Sequence, residues 1–135
     1  MVLSAGQRGQ LAGWLRAEGH GDMRYYLLQV TYDAAGWAAL VDHPHDRTEA
    51  LRVSVQALGG TLVGMWLAFG ESDVVAILQM PDDVAAAGVS MAISAGGAVT
   101  AVKTSPLLTI EEGMTAMRKA STSGYRPPSD EFWRR

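Results

Sequence analysis

Apolar residues along the chain follow two spacings, one typical of strands and one typical of helices. Residues 24–32 are rich in aromatic and β-branched side chains, which predicts a strand. Similar patterns predict further strands over 61–69, 73–80 and 98–104. Helical spacing predicts a short helix over 34–41 and longer helices over 47–58, 84–94 and 109–120.

Capping and breaking residues set the limits of these helices. Asp46 followed by Glu49 predicts a capping box at the start of the first long helix, and Thr109 with Glu112 predicts another before the last helix. The pair Gly59-Gly60 favours a helix end. The helix over 84–94 is apolar on nearly every side, so we expect it to be heavily buried.

The order of elements is β-α-β-β-α-β followed by a terminal helix. Right-handed crossovers make this an α+β, ferredoxin-like sandwich, in which two helices cover one face of a four-stranded antiparallel sheet. We expect one domain over residues 23–120, an N-terminal extension over 1–22 and a C-terminal tail over 121–135. Trp14 is expected to dock the extension, whereas Phe132 and Trp133 in the tail either dock or stay exposed.

The second face of the predicted sheet is apolar as well. Strict alternation in strand 61–69 places Val63, Met65 and Leu67 on one face and Leu62 with Trp66 on the other. A monomer would expose a larger apolar patch than soluble proteins usually tolerate. We therefore expect a homodimer with two facing sheets, which forms a dimeric α/β barrel. The alternative is that the N-terminal extension and the tail cover this face within one chain.

Three polar residues interrupt the apolar second face, namely Gln29, Thr31 and Gln79. A mainly apolar space with a few convergent polar groups is typical of a small-molecule pocket, so all three are candidate substrate-binding residues. The alternative is that they only hydrogen-bond to one another across the sheet.

Composition narrows the class of protein further. The chain has 135 residues, no cysteine and a formal net charge of −3. The charge argues against nucleic-acid binding, and the lack of thiols excludes disulfides and thiolate metal sites. No apolar run reaches the roughly 20 residues of a membrane helix, and residues 1–22 lack the pattern of a signal peptide. We expect a cytoplasmic protein that binds neither nucleic acid nor membranes.

Five motifs occur in a characteristic order and spacing: the strand 26–32, Leu58-Gly59-Gly60, Gly70-Glu71-Ser72-Asp73 with the strand that follows it, Pro81-Asp82-Asp83, and Thr109-Ile110-Glu111-Glu112. Together they resemble the GYD-domain family over roughly residues 23–120. Ser72 stands where the family's name motif has tyrosine. The resemblance implies a dimeric α/β barrel, a superfamily that includes cofactor-free monooxygenases, polyketide cyclases, lactone isomerases, stress-response proteins and haem-handling proteins.

Two histidines are candidates for acid–base chemistry. His43 and His45 flank Pro44, and an imidazole suits proton transfer near neutral pH. A metal would need a third ligand at a recognisable spacing, and no such motif occurs, so we predict no metal site. Gly96-Gly97 lacks the strand–loop–helix context of a nucleotide site, and we predict no cofactor. The alternative is a solvated loop without a functional role.

Asp73 is a third candidate base. The alternative is that its carboxylate accepts amide hydrogens and holds the turn before it. The predicted topology brings the end of the first strand, this turn and the start of the first long helix to one end of the sheet. Tyr32, Trp37, His43, His45 and Asp73 are therefore expected around one pocket mouth.

Trp66 lies between Gly64 and Ala68, whose small side chains leave room for the indole or for a stacked ligand. Tyr32, Trp37 and Trp66 are thus candidate substrate-binding residues, with plain packing as the alternative.

These observations support two main hypotheses. The first is a small homodimeric enzyme of specialised metabolism that oxygenates, cyclises or isomerises a hydrophobic or aromatic molecule without a cofactor. The second is a non-catalytic module of the same fold that binds a small molecule or acts in stress response. A purely structural dimer with a collapsed interior is a third.

Overall fold

The computed structural model describes residues 2, 4–8 and 23–128. In this part of the chain four strands form one antiparallel sheet of order β2-β3-β1-β4. The elements are β1 (Arg24–Tyr32), α1 (Ala34–Asp42), α2 (Thr48–Ala57), β2 (Thr61–Leu67), β3 (Val74–Met80), α3 (Asp83–Ala95), β4 (Val99–Leu107) and α4 (Ile110–Ser121). This order and pairing confirm the predicted ferredoxin-like fold.

The core lies between one face of the sheet and the helices α2 and α3. On β1 every second side chain is buried, and the same alternation runs through all of β3. Val55 of α2 and Ala86 and Val89 of α3 pack against that face. Alternation of buried and partly exposed residues with a period of two shows that the central strands bury one face completely.

The N-terminal caps of two helices are as the sequence predicts, and the cap of a third is not. Asp82 accepts a hydrogen bond from Ala85 N at 2.8 Å, and Thr109 forms the predicted capping box with Glu112. The prediction of a capping box at Asp46 is wrong. Its Oδ1 atom accepts from Thr48 N at 2.8 Å and closes a short turn, while Glu49 pairs with Arg52 at 2.5 Å.

Strand β2 contains a β-bulge that overturns the strict alternation expected for it. Leu62 pairs with Leu78, but the next regular pair is Gly64 with Ile77. The extra residue, Val63, shifts the register by one. Leu62 and Trp66, expected on one face, therefore lie on opposite faces, and Trp66 lies on the face turned away from the helices.

Helix α3 is less buried than its composition suggests. Val84 is 81% exposed and Met91 is 68% exposed, so the expectation of heavy burial all round was wrong. Only one side of the helix packs on the sheet, and alanines fill most of the remainder.

Strand β4 is longer than predicted and continues through Pro106, which an edge strand tolerates because its outer N–H groups need no partner.

Several expectations fall on residues outside the described part of the chain. These are the docking of Trp14 and the positions of Phe132 and Trp133. Among the described residues, no helix is long and apolar enough to cross a bilayer.

A buried tyrosine links the sheet to the start of α3. The ring of Tyr26 is buried on β1, and its hydroxyl donates a hydrogen bond to Asp83 Oδ1. Burial, with further contributions from the hydrogen bond to Asp83 and its negative charge, raises the pKa of Tyr26 to about 12. The protonated phenol is therefore the form that stabilises the folded state.

Replacing this hydroxyl tests the link. Tyr26→Phe should lower the free energy of unfolding by about 1 kcal/mol at neutral pH, the usual net value of one hydrogen bond. Because the folded pKa lies above the unfolded value of 10.0, the contribution is complete below pH 10.0 and disappears as the pH rises through about 12. Urea unfolding at a series of pH values measures this difference.

Tyr125→Phe is the matched control, since that side chain is exposed in the tail and its loss should change little. An equal effect of both substitutions at every pH would contradict the assignment.

Candidate functional site

Two adjoining cavities open between the sheet and the helical layer. The larger one, which we call the inner cavity, has a volume of about 470 Å³. The smaller one, the outer cavity, has a volume of about 390 Å³ and lies towards the edge strand β2. The residues common to both linings form what we call the shared wall: Tyr32, Leu40, His45, Arg47 and Met65.

The inner cavity exists because small side chains cover that part of the sheet. Gly36 and Ala39 of α1 and Ala50 of α2 face it, and the chain around Gly96 and Gly97 after α3 closes it from another side. Most of the other lining side chains are aliphatic. The polar residues of the lining are Tyr32, His45, Arg47 and Ser54, so the cavity combines an apolar body with a few polar groups.

The hydrogen-bond partner of His45 favours one tautomer of its imidazole ring. Its Nδ1 atom lies 2.7 Å from the carbonyl oxygen of His43. A carbonyl oxygen only accepts hydrogen bonds, so Nδ1 carries the proton and donates it. In the neutral imidazole the Nε2 atom is then unprotonated and has a lone pair available as a base or an acceptor.

Tyr32 ends β1 and turns its ring towards α1. The ring contacts Trp37 edge to face, with centroids 5.3 Å apart and an interplanar angle of 74°. Burial raises the pKa of Tyr32; the positive charge of Arg47 opposes this shift, and the negative charge of Asp73 adds to it. The Tyr32 hydroxyl is therefore protonated at neutral pH and is able to donate a hydrogen bond.

Asp73 holds Tyr32 and Trp37 in place by hydrogen bonds. Its Oδ2 atom accepts hydrogen bonds from Tyr32 N at 2.9 Å and from Trp37 Nε1 at 3.2 Å. Its backbone N–H donates to Val30 O at 2.8 Å. This carboxylate thus ties the end of β1 to α1, and it lies outside the linings of both cavities.

The remaining candidates are distributed between the site and its surroundings. Trp37 lines the outer cavity together with Tyr32 and His45. Trp66 borders this cavity at the edge strand β2, although its ring lies over Gly64 on the far face of the sheet. His43 lies outside both linings, exposed, with its Nδ1 atom 2.9 Å from Asp42 Oδ2.

The polar candidates of the second face stay on that face. Gln29 pairs with Val75 and Lys103, and Gln79 pairs with Tyr25 and Thr61 across the sheet. The Thr31 hydroxyl donates to Glu71 O at 3.4 Å. None of the three lines either cavity.

Sequence reasoning missed Arg47 and Ser54. A helical spacing places Arg47, Leu51 and Ser54 on one side of α2 or just before it, and all three line the inner cavity. Reading the helix period for polar as well as apolar residues would have found them. Among the residues that the structure describes, no group of three or more His, Asp or Glu side chains is placed to hold a metal ion.

Gly36 is required for the close approach of α1 to the chain before β4. A Cβ atom at this position would lie 2.5 Å from the carbonyl oxygen of Ala98, which is itself held at a φ of 67°. Gly36→Ala should therefore destabilise the fold by about 1–3 kcal/mol, the usual cost of overpacking, as measured by urea unfolding.

Gly113→Ala serves as the comparison, since a Cβ atom there would meet nothing within 4 Å and alanine favours a helix. It should be neutral or stabilising by up to about 1 kcal/mol. The packing argument fails if both alanine variants unfold alike.

Comparison with known families identifies the family of the chain. A family model described as the GYD domain matches residues 26–117, a span that contains every residue of both cavity linings. No curated protein matches the chain. The match covers well over half of the sequence and confirms the resemblance, so the chain belongs to the GYD-domain family.

Proposed function

We propose that this protein is an enzyme that holds a hydrophobic, ring-bearing molecule in the inner cavity and uses His45 as a general base. The observation that carries the proposal is the 2.7 Å distance between His45 Nδ1 and the carbonyl oxygen of His43, on the solvent-exposed wall of a mainly apolar cavity, because this contact favours the Nδ1-protonated tautomer. That tautomer leaves Nε2 as the basic atom. His45 is thereby favoured over His43 and Asp73, which lie outside the cavity linings.

The dimensions of the cavity support a small-molecule ligand. A volume of about 470 Å³ falls within the range of roughly 300–1,000 Å³ that is typical of ligand sites. Aliphatic side chains such as Leu28, Val30 and Ile93 line it, which favours an apolar ligand body. The edge of Tyr32 adds an aromatic surface.

The chemistry begins with one proton transfer. His45 Nε2 takes a proton from an acidic C–H or O–H bond of the substrate, which leaves an imidazolium and a substrate anion. In an isomerisation the imidazolium returns the proton to another atom of the substrate. In a cyclisation the anion adds to a carbonyl carbon of the same molecule, the C=O π bond opens, and the alkoxide takes the proton back from the imidazolium. In an oxygenation molecular oxygen takes two electrons from the anion, a C–O bond forms, and the resulting peroxide takes the proton. These are the classes expected for a cofactor-free enzyme of specialised metabolism.

A non-catalytic binding module is the second candidate. The nearly apolar lining of the inner cavity would bind a hydrophobic molecule without any proton transfer. The two candidates differ in their need for His45, because binding alone does not require a base.

We further propose that a second copy of the chain covers the free face of the sheet. Trp66, 59% exposed, lies on that face together with partly exposed Val75 and Ile77. Helix α4 has no buried residue, and its exposed Met114 and Met117 lie within one turn of each other. Apolar surface of this extent supports an interface between two copies.

The general-base role is tested with 5-nitrobenzisoxazole, a small aromatic carbon acid whose ring opens to a coloured phenolate when a base removes its proton. The wild-type protein should accelerate this reaction over buffer. His45→Ala should lose the contribution of the base, about 10²-fold or more. The absorbance of the product measures the rate.

His43→Ala is the matched comparison, because it removes an imidazole two positions away that lies outside both cavity linings. Equal losses in both variants would contradict the assignment of His45. Should the wild-type protein bind the uncharged probe N-phenyl-1-naphthylamine without accelerating the reaction, the binding module would replace the enzyme.

The dimer is tested with a charge on the free sheet face. Val75→Lys should convert a dimer into a monomer, because a buried ammonium without a partner is costly. Val53→Lys is the control, since Val53 is exposed on α2, away from that face. Light scattering during size-exclusion chromatography gives the mass, and a monomeric wild-type protein at micromolar concentration would overturn the proposal.

A further inference from the structure

The inner cavity has an uneven charge distribution. Its lining contains one cationic side chain, Arg47, and no carboxylate. In the part of the chain that the structure describes, Arg47 forms no ion pair with Asp or Glu. Arg47 is exposed to solvent where it lines the cavity, so its guanidinium is accessible and able to bind an anionic group of a ligand.

The neighbouring carboxylates do not neutralise this charge inside the cavity. Asp46 lines only the outer cavity, where its Oδ1 atom accepts the hydrogen bond from Thr48 N. Asp73 is engaged by Tyr32 N and Trp37 Nε1, and it lies outside both linings. Glu49 pairs with Arg52 on the exposed side of α2.

Tyr32 provides a second donor next to Arg47. Both residues belong to the shared wall, and the positive charge of Arg47 lowers the pKa of Tyr32 against the larger rise caused by burial. The phenol donates one hydrogen bond and the guanidinium offers a planar pair of N–H groups. The lining residues that α3 supplies, Ala92 and Ile93, are apolar.

We propose that the ligand of the inner cavity is an amphiphilic monoanion, with an apolar ring system and one carboxylate that Arg47 binds with help from the Tyr32 hydroxyl. This inference rests on the proposed function for the existence of a ligand in the cavity, and it adds the ligand's charge and orientation. The carboxylate lies at the shared wall, and the ring system extends towards α3. The carboxylate end is thereby placed near His45, which also belongs to that wall.

Because the protein has a negative net charge, a preference for a carboxylate ligand over its neutral analogue would indicate a local cationic group. At a formal net charge of −3 the chain repels anions at long range, so non-specific attraction would not favour a carboxylate over its neutral analogue. A preference for the anion must therefore come from a local group.

The experiment compares 2-naphthoate with 2-naphthamide, which have the same ring system but differ in charge. Isothermal titration calorimetry should give an affinity for 2-naphthoate about tenfold or more above that for 2-naphthamide, as expected for hydrogen bonds to a charged group. Arg47→Gln should abolish the preference and leave the affinity for 2-naphthamide unchanged. The retained amide binding shows that the variant is folded.

Two further variants refine the test. Arg52→Gln removes an arginine of α2 that pairs with Glu49 and lines neither cavity, so this variant should keep the preference for 2-naphthoate. Tyr32→Phe keeps the ring but removes the hydroxyl, and should reduce the preference by a smaller factor than Arg47→Gln.

Each outcome has a distinct meaning. Equal affinities of the wild-type protein for the two naphthalenes, or a preference that survives Arg47→Gln, would overturn the carboxylate proposal while leaving the cavity as a binding site. If the wild-type protein binds neither naphthalene nor N-phenyl-1-naphthylamine, the proposed function itself fails and the inference fails with it.

Discussion

The burial of one face of the sheet beneath α2 and α3 is the interaction on which the rest of the structure depends. Leu78, Val55 and Val89 are fully buried at its centre, where dense packing leaves no room for a ligand. Towards the end of β1 the covering residues become small, and Gly36 brings α1 close to Ala98. The helical layer that stabilises the fold therefore leaves a cavity where its side chains are small.

The polar groups of the site follow from that arrangement. The break between α1 and α2 places His45 and Arg47 on the cavity wall, and the end of β1 places Tyr32 beside them. Asp73 holds Tyr32 and Trp37 without entering the cavities. Acidic groups thus serve positioning and capping, whereas the groups that face the inner cavity are neutral or cationic. This division of roles is what an apolar site for an anion requires.

Much of the fold follows from hydrophobic periodicity and capping, because these are local properties of the sequence. The limits of β1 and the capping of α4 by Thr109 agree with the pattern of residues. The bulge at Val63 was missed because it depends on pairing with β3, a non-local contact. The site shows the same limit: His45 and Tyr32 were predicted to meet from topology, whereas Arg47 depends on the orientation of α2.

Both outer strands of the sheet carry features that discourage pairing with another strand. The bulge in β2 twists one edge, and Pro106 and Lys103 lie on β4 at the other. Pro106 has no backbone N–H to give, and a lysine disfavours the approach of a further strand. Open-ended addition of strands, the route by which flat sheets grow into fibrils, is therefore disfavoured at both borders of the sheet.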